Sequence, residues 1–375
     1  MKQLKCRSCK SKKLINLFSL GNINFTGKFS KSPNKIKKGK LRLVLCNNCK
    51  LVQLGDSFNL KYLYGPDYGY RTGINQTMTH HVRNLVRDIS YKYKLNKKDA
   101  VLDIASNDGT LLTFYNKKIT TFGIDPLIGK YLKFYKKINY KVSNFFDYKN
   151  VAAKYKGKFK IITALSVFYD AQNPIKFLKD IEKLLDDKGV AIIEFADLES
   201  IIKYKMFDTI CHEHLEYYSV SVFLKMVNDN NLKLIDIKKN KINGSSKQFY
   251  ICKKKAPYKI NYNVIKNIVS SEKTLKLNDR KTFFKFKKEI DKIKIKLKDK
   301  LIKITKKGKK IHGYGASTKG NVLLQYFGLD NSMINFVAER NSKKYNFFTP
   351  GSKIKIISES KSRAMKPDYY LVLPW

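Results

Sequence analysis

The chain has 375 residues, of which 43% are hydrophobic and 13% aromatic. This length and apolar content predict two or three globular domains, each with its own core. No stretch approaches the roughly 18 apolar residues of a membrane span, and no apolar signal core follows Met1. We therefore expect a cytoplasmic protein with no membrane partner.

The formal net charge of +47 would ordinarily indicate a nucleic-acid partner or an anionic membrane surface. However, only eight of the 77 basic residues are arginine, the side chain that binds bases and phosphates in a bidentate way. Lysine is spread along the whole chain and is not clustered. We expect no nucleic-acid partner, although a basic surface also suits an anionic small molecule.

Four cysteines near the N-terminus form two Cys-x-x-Cys pairs, Cys6 with Cys9 and Cys46 with Cys49. Each pair can direct two thiolates at one tetrahedral ion, which is typical of zinc sites. The alternative, a pair of disulfides in a secreted domain, conflicts with the missing signal peptide. Four sulfur ligands leave no open position, so we predict a structural zinc ion in a zinc-ribbon-like domain over residues 1–60.

An alternating strand and helix pattern follows in residues 61–255, after an N-terminal helical segment. Apolar runs predict strands at 100–104, 121–124, 159–164 and 190–194. Helices are predicted to begin at Leu111, after the small-residue turn 105–110, and to span 174–185. This alternation predicts an α/β domain with an open parallel sheet.

Carboxylates lie at the ends of the first two predicted strands, at Asp103 and Asp125. In an open parallel sheet this edge forms the ligand crevice, and the second acid is placed to bind ribose hydroxyls. The turn lacks the G-x-G-x-x-G of dinucleotide sites and the lysine of a P-loop. The pattern instead resembles the S-adenosyl-L-methionine site of class I methyltransferases. The expected cofactor contacts are Asp103, Ser106, Asn107, Asp108, Gly109, Asp125, Pro126 and Ser166.

The run 207–218 holds His212, Glu213 and His214, which include two of the five histidines. A histidine beside a carboxylate can accept or donate a proton at physiological pH, as a reaction that starts with proton removal requires. The alternative is an exposed, hydrogen-bonded loop. The pattern alone leaves both interpretations open.

The lysine-rich segment 256–309 is predicted to be a helical connection between domains. Its apolar residues recur at helical spacing, at Ile290, Ile293, Leu297, Leu301 and Ile304. A helix on a membrane surface is the less favoured alternative, because lysine is abundant throughout this chain.

Residues 310–375 show a further pattern of strands and a helix. A strand, a glycine-rich turn and a helix start occupy 310–321, and further strands are expected at 334–337 and 369–373. The glycine spacing does not fit a dinucleotide site, so NAD binding is not expected. Backbone amides at the helix start, with Ser317 and Lys319, could still hold a phosphate.

The cysteine pairs, the segment 68–73, the turn 103–109, the run 207–218 and the segment 243–246 together resemble the sugar C-methyltransferase family. The resemblance covers nearly the whole chain, with the motifs in the family's order. It implies a zinc-binding domain, a class I methyltransferase core and a Rossmann-like C-terminal domain that helps to bind a nucleotide-sugar. The implied activity is S-adenosyl-L-methionine-dependent C-methylation of a nucleotide-linked keto-deoxysugar.

Carbon methylation beside a ketone requires loss of the α-proton, after which the enolate attacks the methyl group. The resemblance indicates His214 as the base, with His212 as a competing candidate, and Glu213 as the group that orients the sugar or tunes the imidazole. Tyr70 would hydrogen-bond the ketone oxygen as negative charge develops. Substrate contacts are expected at Arg71, Asn243, Gly244, Ser245, Ser317 and Lys319.

Some of these assignments have open alternatives. Tyr70 and Arg71 could equally be a packed aromatic and a surface cation. Many members of the family carry histidine in the position of Asn243, and an asparagine and a histidine are usual where this chain has residues 166–170. We therefore expect a substrate pocket that differs from the family's usual one.

Two other functions compete with this interpretation. The charge alone favours a zinc-ribbon RNA or protein methyltransferase, but neither an Asn/Asp-Pro-Pro-aromatic motif nor a Pro-Cys nucleophile is present. A degenerate, non-catalytic binding member is the third possibility, for which Asn243 and Ser166 are the only hints.

Overall fold

The computed structural model describes residues 2–32, 34, 36–65 and 68–373. In these residues the chain forms three sheets. In the order in which they begin along the chain, they have four, seven and four strands. The sheets divide the molecule into an N-terminal domain, a central domain and a C-terminal domain.

The N-terminal domain is built on an antiparallel sheet. Its strands are β1 (Leu14–Asn24), β2 (Lys38–Cys46) and β3 (Val52–Leu54), and the helices α1 (Leu60–Leu63) and α2 (Gln76–Lys92) lead to the central domain. The side chains of Asn59 and Asn75 cap the two helices by accepting hydrogen bonds from their first amides. The apolar face of α2 packs against the central domain through Val82, Leu85 and Val86.

The central domain contains a seven-stranded sheet. Its elements are β4 (Ala100–Ile104), β5 (Thr120–Ile124), α3 (Ile128–Tyr131), β6 (Tyr140–Val142), α4 (Tyr148–Ala152), β7 (Phe159–Leu165), α5 (Pro174–Leu184), β8 (Leu185–Phe195), α6 (Leu198–Tyr204), β9 (Glu216–Tyr217), α7 (Val220–Asn228), β10 (Leu232–Asn240) and β11 (Ser246–Lys253). The strand order is β10-β11-β8-β7-β4-β5-β6, and β9 lies outside this sheet. Strands β4 to β8 run parallel, whereas β11 is antiparallel to both of its neighbours.

The four strands predicted for this domain coincide with β4, β5, β7 and β8. The helix predicted from Leu111 is wrong, because residues Leu111–Phe114 form one turn of 3-10 helix only. The side chain of Asn116 accepts a hydrogen bond from the amide of Lys118 and closes a turn before a second helical turn can form.

Strand β9 completes the sheet of the N-terminal domain. It pairs with β3, with Val52 opposite Tyr217 and Gln53 opposite Glu216. Because β9 directly follows the His-Glu-His run, this pairing places residues 212–214 at the border between the N-terminal and central domains.

The C-terminal part begins with the helices α8 (Tyr262–Thr274) and α9 (Arg280–Lys306). The domain that follows contains β12 (Ile311–Tyr314), α10 (Thr318–Phe327), β13 (Phe336–Glu339), β14 (Lys355–Ser358), α11 (Glu359–Ala364) and β15 (Tyr369–Val372). All four strands are parallel, in the order β14-β13-β12-β15, which is one half of a doubly wound fold.

The N-terminal and C-terminal domains share a core. Helix α9 buries Phe286 and Ile290, and the ring of Phe286 lies 5.8 Å from that of Phe18 in β1. Phe207 stacks on Phe327 of α10 at 5.1 Å. In the part of the chain that the structure describes, no helix has both the length and the apolar character needed to cross a bilayer.

Candidate active site and metal centre

The four cysteines of the N-terminal domain converge on one point. Their sulfur atoms all lie within 4.8 Å of one another, with 3.5 Å between Cys6 and Cys49 and 3.5 Å between Cys9 and Cys46. Tetrahedral zinc with Zn–S bonds of about 2.3 Å requires sulfur separations of about 3.8 Å, so these residues fit the ion. The hydrogen bond between Cys6 and Cys49 lowers the pKa of the Cys49 thiol to about 5 and raises the pKa of Cys6, so one thiolate of this pair forms readily in the metal-free protein. The donor set is that of a closed, structural zinc site.

A cavity of about 1950 Å³ lies where the three domains meet. Its wall includes Phe25, Gly27 and Tyr62 of the N-terminal domain, Asp103, Asp125 and Ser166 of the central domain, and Tyr314, Ser317 and Lys319 of the C-terminal domain. Most of the expected site residues therefore meet in a space between the three domains.

One end of the cavity has the features of a nucleoside site. Both carboxylate oxygens of Asp125 accept backbone N–H bonds, from Asn107 at 2.9 Å and from Leu127 at 2.6 Å, and burial raises the pKa of this group. Each oxygen keeps a further lone pair for ribose hydroxyls. Asp103 accepts a 2.6 Å bond from Thr163, and burial raises its pKa to about 7. These carboxyls and the apolar Leu111 beside them fit S-adenosyl-L-methionine.

Six of the eight expected cofactor contacts line the cavity, namely Asp103, Ser106, Asn107, Asp125, Pro126 and Ser166. Asp108 and Gly109 are not part of its lining. Asp108 accepts hydrogen bonds from Arg71 at 2.8 Å and from the amide of Gly73 at 3.1 Å. Gly109 has φ +75°, and an added Cβ would lie 2.6 Å from Ile138, so only glycine fits. The structure thus gives these two residues a role in holding the turn.

His214 lies in the cavity wall. Its Nδ1 is 2.8 Å from the carbonyl oxygen of Thr209, and a carbonyl only accepts, so Nδ1 must carry the proton. The lone pair is therefore on Nε2. The ring packs against that of Tyr169 at 4.1 Å. Burial, together with the charge of Lys319, lowers the pKa of His214 to about 3, so the imidazole is neutral at physiological pH.

His212 has a different environment, which we call the aromatic box, formed with Phe25 and Phe58. The ring centroids of these two residues lie 4.6 and 5.0 Å from that of His212. Nε2 donates to the carbonyl of Gly39 at 3.1 Å, and the side chain is not among those that line the cavity. Burial lowers its pKa to about 4.

Glu213 lies between the two histidines in sequence and lines the cavity. Its Oε2 accepts a 3.4 Å bond from Thr26, and its Oε1 is buried. Burial raises the pKa of the carboxyl group, and hydrogen bonds from Cys211 and the Gly27 backbone partly offset this effect. An added Cβ at Gly27 would lie 2.3 Å from Oε1, so the position of this carboxyl depends on that glycine.

Tyr70 and Arg71 both line the cavity. The Tyr70 side chain is 41% exposed to this space, although the surrounding protein removes enough water to raise its pKa to about 12. The Arg71 guanidinium is held by Asp108 and lies 3.9 Å from the ring centroid of Phe134. Arg71 is thus an ordered part of the wall.

The glycine-rich turn of the C-terminal domain uses its polar groups within the protein. The amide of Ala316 donates to Glu339 at 2.8 Å, and Ser317 caps α10 by accepting from the amide of Gly320 at 2.9 Å. The ammonium group of Lys319 donates to the carbonyl of Asn243 at 3.0 Å. Ser317 and Lys319 line the cavity, but these bonds leave the turn less open to a phosphate than its sequence indicates.

The segment 243–245 reaches the cavity through one residue only. Asn243 lines it and donates a 3.3 Å hydrogen bond from Nδ2 to Ser166. Gly244 and Ser245 are not part of the lining, and Ser245 pairs with Ser200 at 3.1 Å. Asn243 and Ser166, two of the positions at which the sequence departs from the family's pattern, are therefore in contact.

Sequence reasoning missed several residues of the wall. Tyr64 and Asp170 line the cavity, and the Tyr64 hydroxyl donates to Asp170 at 2.6 Å. Asp170 could have been noticed as a carboxylate that follows a predicted strand. Thr209 acts through its carbonyl oxygen, for which no sequence signal exists.

Three family models match consecutive parts of the chain. They describe a zinc binding domain at residues 6–64, a methyltransferase domain at 76–237 and a C-methyltransferase C-terminal domain at 241–375. The C-methyltransferase NovU of Streptomyces niveus is 24% identical over 388 residues, which cover 99% of this chain and 89% of NovU.

Two solved structures are similar to part of this chain. An S-adenosylmethionine-dependent methyltransferase from Clostridium acetobutylicum is 14% identical, with 46% of this chain and 91% of that chain covered and a TM-score of 0.38. The plantazolicin methyltransferase BpumL is also 14% identical, with 52% and 94% covered and a TM-score of 0.39.

The three family matches follow one another along the chain. They confirm the predicted α/β fold class with a class I methyltransferase core. The zinc binding domain and the cysteine cluster support structural zinc, and the methyltransferase domain and the cavity support S-adenosyl-L-methionine, as expected. The chain is therefore similar over nearly its whole length to C-methyltransferases, with matched regions that are, in chain order, a zinc binding domain, a methyltransferase domain and a C-methyltransferase C-terminal domain.

Proposed function

We propose that this protein is a cytoplasmic C-methyltransferase that uses S-adenosyl-L-methionine to methylate the carbon beside the ketone of a nucleotide-linked keto-deoxysugar. The observation that carries the proposal is the environment of His214. Its Nδ1 donates to the carbonyl of Thr209, so Nε2 is the atom that can accept a proton. The same cavity is lined by Asp125, at the end that has the features of a nucleoside site. NovU, a C-methyltransferase by name, supports the same reaction type.

The residues of the wall support a two-step reaction. Nε2 of His214 takes the proton from the carbon beside the ketone, and the electron pair of the broken C–H bond moves into an enolate. The hydroxyl of Tyr70 donates to the enolate oxygen as its negative charge develops. When bound, S-adenosyl-L-methionine supplies the electrophilic methyl group that the enolate carbon takes up.

The low pKa of His214 shapes this mechanism. A neutral imidazole is available at physiological pH, but an imidazolium with a pKa of about 3 is a strong acid and drives proton removal only weakly. Stabilisation of the enolate oxygen by Tyr70 therefore has to supply much of the driving force. Glu213, next in sequence, would bind the sugar and could stabilise the imidazolium electrostatically.

Two half-buried lysines, one of them 3.8 Å from the carboxylate of Glu339, support a nucleotide-linked substrate. Lys319 and Lys344 line the cavity from the C-terminal domain, and burial lowers the pKa of both. An anionic group bound beside them would offset the desolvation of their ammonium groups. A sugar that carries a diphosphate has such a group.

The test is to incubate the protein with labelled S-adenosyl-L-methionine and a panel of nucleotide-4-keto-hexoses, with total RNA and protein substrates in parallel. We expect label in a sugar, and exchange of the sugar α-proton with solvent deuterium. Label in RNA or protein and in no sugar would contradict the proposal and favour the zinc-ribbon alternative. Label in none of them would favour a non-catalytic binding protein.

A further inference from the structure

Tyr70 is held by the turn at residues 105–110, which we call the cofactor turn. Asn107 of this turn contacts the backbone on both sides of Arg71. Its Oδ1 accepts from the amide of Thr72 at 2.9 Å, and its Nδ2 donates to the carbonyl of Tyr70 at 3.4 Å. The backbone of Tyr70 is therefore bound to the cofactor turn.

Asp108, the next residue of the cofactor turn, strengthens this connection. Its Oδ2 accepts from the guanidinium of Arg71 at 2.8 Å and from the amide of Gly73 at 3.1 Å, and its Oδ1 accepts from the hydroxyl of Thr110 at 2.6 Å. Hydrogen bonds to a charged acceptor are roughly twice as strong as neutral ones. The Asp108 side chain is 1% exposed, so it has almost no surface with which to contact the cofactor.

Two further groups hold the segment on its other sides. The hydroxyl of Tyr131 donates to the carbonyl of Tyr70 at 3.1 Å, and Asn341 of the C-terminal domain donates to the carbonyl of Gly69 at 3.2 Å. The Tyr70 side chain, in contrast, lines the cavity. The backbone from which this phenol extends is thus fixed, while the phenol itself faces the substrate space.

The cofactor turn also supports the nucleoside end of the cavity. The amide of Asn107 donates to Oδ2 of Asp125 at 2.9 Å, and Asp125 is the carboxylate placed for ribose hydroxyls. One turn therefore holds both a cofactor contact and the residue that would bind the ketone oxygen. Methyl transfer needs reacting atoms about 3 to 3.5 Å apart, and a common support keeps the sugar and the methyl donor at a fixed separation.

We propose that Asp108 and Tyr131 are positioning residues that hold Tyr70 on the cofactor turn, so that its hydroxyl meets the ketone oxygen at a fixed distance from the methyl donor. The inference rests on the proposed function and adds two residues that act through Tyr70. Asp108, expected from the sequence to contact the cofactor, acts instead on the position of the sugar. Without either residue the cofactor still binds, but Tyr70 moves, and a shift of about 1 Å costs up to about 10²-fold in rate.

The experiment is a double-mutant cycle of Asp108→Asn and Tyr70→Phe. The readout is exchange of the α-proton of the 4-keto sugar with solvent deuterium, with S-adenosyl-L-homocysteine, which cannot donate a methyl group, in the cofactor site. We expect Tyr70→Phe to lower the exchange rate by about 10²-fold or more and Asp108→Asn to lower it by about 10- to 100-fold. In the Tyr70→Phe protein, Asp108→Asn should cost less than about 3-fold, because the residue through which it acts is gone.

The affinity for S-adenosyl-L-methionine, measured by calorimetry, should stay within about 3-fold of wild type in Asp108→Asn. Tyr131→Phe removes a hydroxyl only and serves as the test if Asp108→Asn does not fold. It should lower exchange by about 3- to 10-fold in wild type and by less than about 2-fold in Tyr70→Phe. Tyr140→Phe, in β6 and outside the lining of the cavity, is the matched control and should leave exchange unchanged.

Equal losses from Asp108→Asn in the two backgrounds would overturn the inference, since they would show a structural role that is independent of Tyr70. An affinity for S-adenosyl-L-methionine that falls as much as the exchange rate would also overturn it, in favour of a cofactor contact. If Tyr70→Phe exchanges as fast as wild type, the inference is wrong although a wild type that methylates a sugar upholds the proposed function. If wild type methylates none of the sugars, the proposed function fails and this inference with it.

Discussion

The two histidines of the run 212–214 lie in different regions of the molecule. His212 is enclosed in the aromatic box, where its ring contacts Phe25 and Phe58 and its Nε2 is bound to Gly39. His214 lies in the cavity wall, with Nε2 left as its acceptor.

The difference comes from the backbone. Residues two apart in an extended strand point to the same side, so the sequence indicates equal access for both histidines. The amide of His214 instead bonds to the carbonyl of Cys211 at 3.3 Å, which turns the chain within the run. One histidine therefore belongs to the packing of the N-terminal domain, and the other to the cavity.

The largest expected effect comes from removing the zinc ion, because the N-terminal domain supports both regions. Structural zinc contributes apparent binding free energies of about 10 kcal/mol or more. Chelation should lower the melting temperature by more than about 10 °C and abolish α-proton exchange. Added Zn²⁺, but not Mg²⁺, should restore both. A protein shown to be metal-free that keeps its melting temperature and activity would contradict the structural role.

The second effect separates the two histidines. His214→Ala should reduce deuterium exchange at the sugar α-carbon by about 10²- to 10⁴-fold, the usual contribution of a general base. His212→Phe should keep exchange within about 10-fold of wild type, because His212 does not line the cavity. The reverse result would reassign the base to His212.

A smaller effect is expected from Gly27→Ala. The new Cβ would lie 2.3 Å from Oε1 of Glu213 and must displace that carboxyl group. Displacement by about 1 Å should lower kcat/KM by about 10- to 100-fold, with little change in melting temperature. Gly129→Ala is the matched control, since its Cβ would meet only Ser143, at 3.8 Å. Similar kinetics for both variants would show that the position of Glu213 does not matter.

The smallest effect is a pH dependence of stability that arises in the aromatic box. Burial lowers the pKa of His212 from 6.5 to about 4, so between these values the unfolded chain binds a proton that the folded protein does not. Stability is therefore lost as pH falls below about 6.5. His212→Phe removes this titration. Wild type and the variant share the zinc site and His214, so the pH dependence of those groups cancels in the comparison.

The free energy of unfolding of wild type, measured against that of His212→Phe, should thus fall by about 1 to 2 kcal/mol between pH 7 and pH 5. Urea unfolding at several pH values measures it. A difference between the two proteins that does not change with pH would mean that His212 titrates normally.

The sheet of the central domain was predictable because buried parallel strands appear as continuous apolar runs, as at residues 100–104 and 159–164. The zinc cluster was predictable from spacing alone. The predicted helix at Leu111 was wrong because the side chain of Asn116 closes a turn. Strand β9 has two residues, too few for any periodicity, and its pairing with β3 depends on the tertiary fold.

The site was predictable only as a set of candidates. Their sequence pattern could not distinguish His214 from His212, because the hydrogen bond to Cys211 that separates them involves backbone atoms. The glycine-rich turn suggested a phosphate site, but Glu339, 23 residues beyond Ala316, takes its amide. The hydrogen bond between Tyr64 and Asp170 becomes visible only in the folded structure, because 106 residues separate the two in sequence.

The late arrival of β9 affects the folding of the nascent chain. The four cysteines leave the ribosome early and can bind zinc while the central domain is still being synthesised. The outer edge of β3, with the buried residues Val52 and Leu54, stays without its neighbour until residue 217 has emerged. During this interval, and in any fragment that ends before β9, we expect an open apolar edge that can pair with other chains. The strand that covers this edge directly follows the His-Glu-His run in the chain. The edge of β3 is therefore paired only after that run has been synthesised.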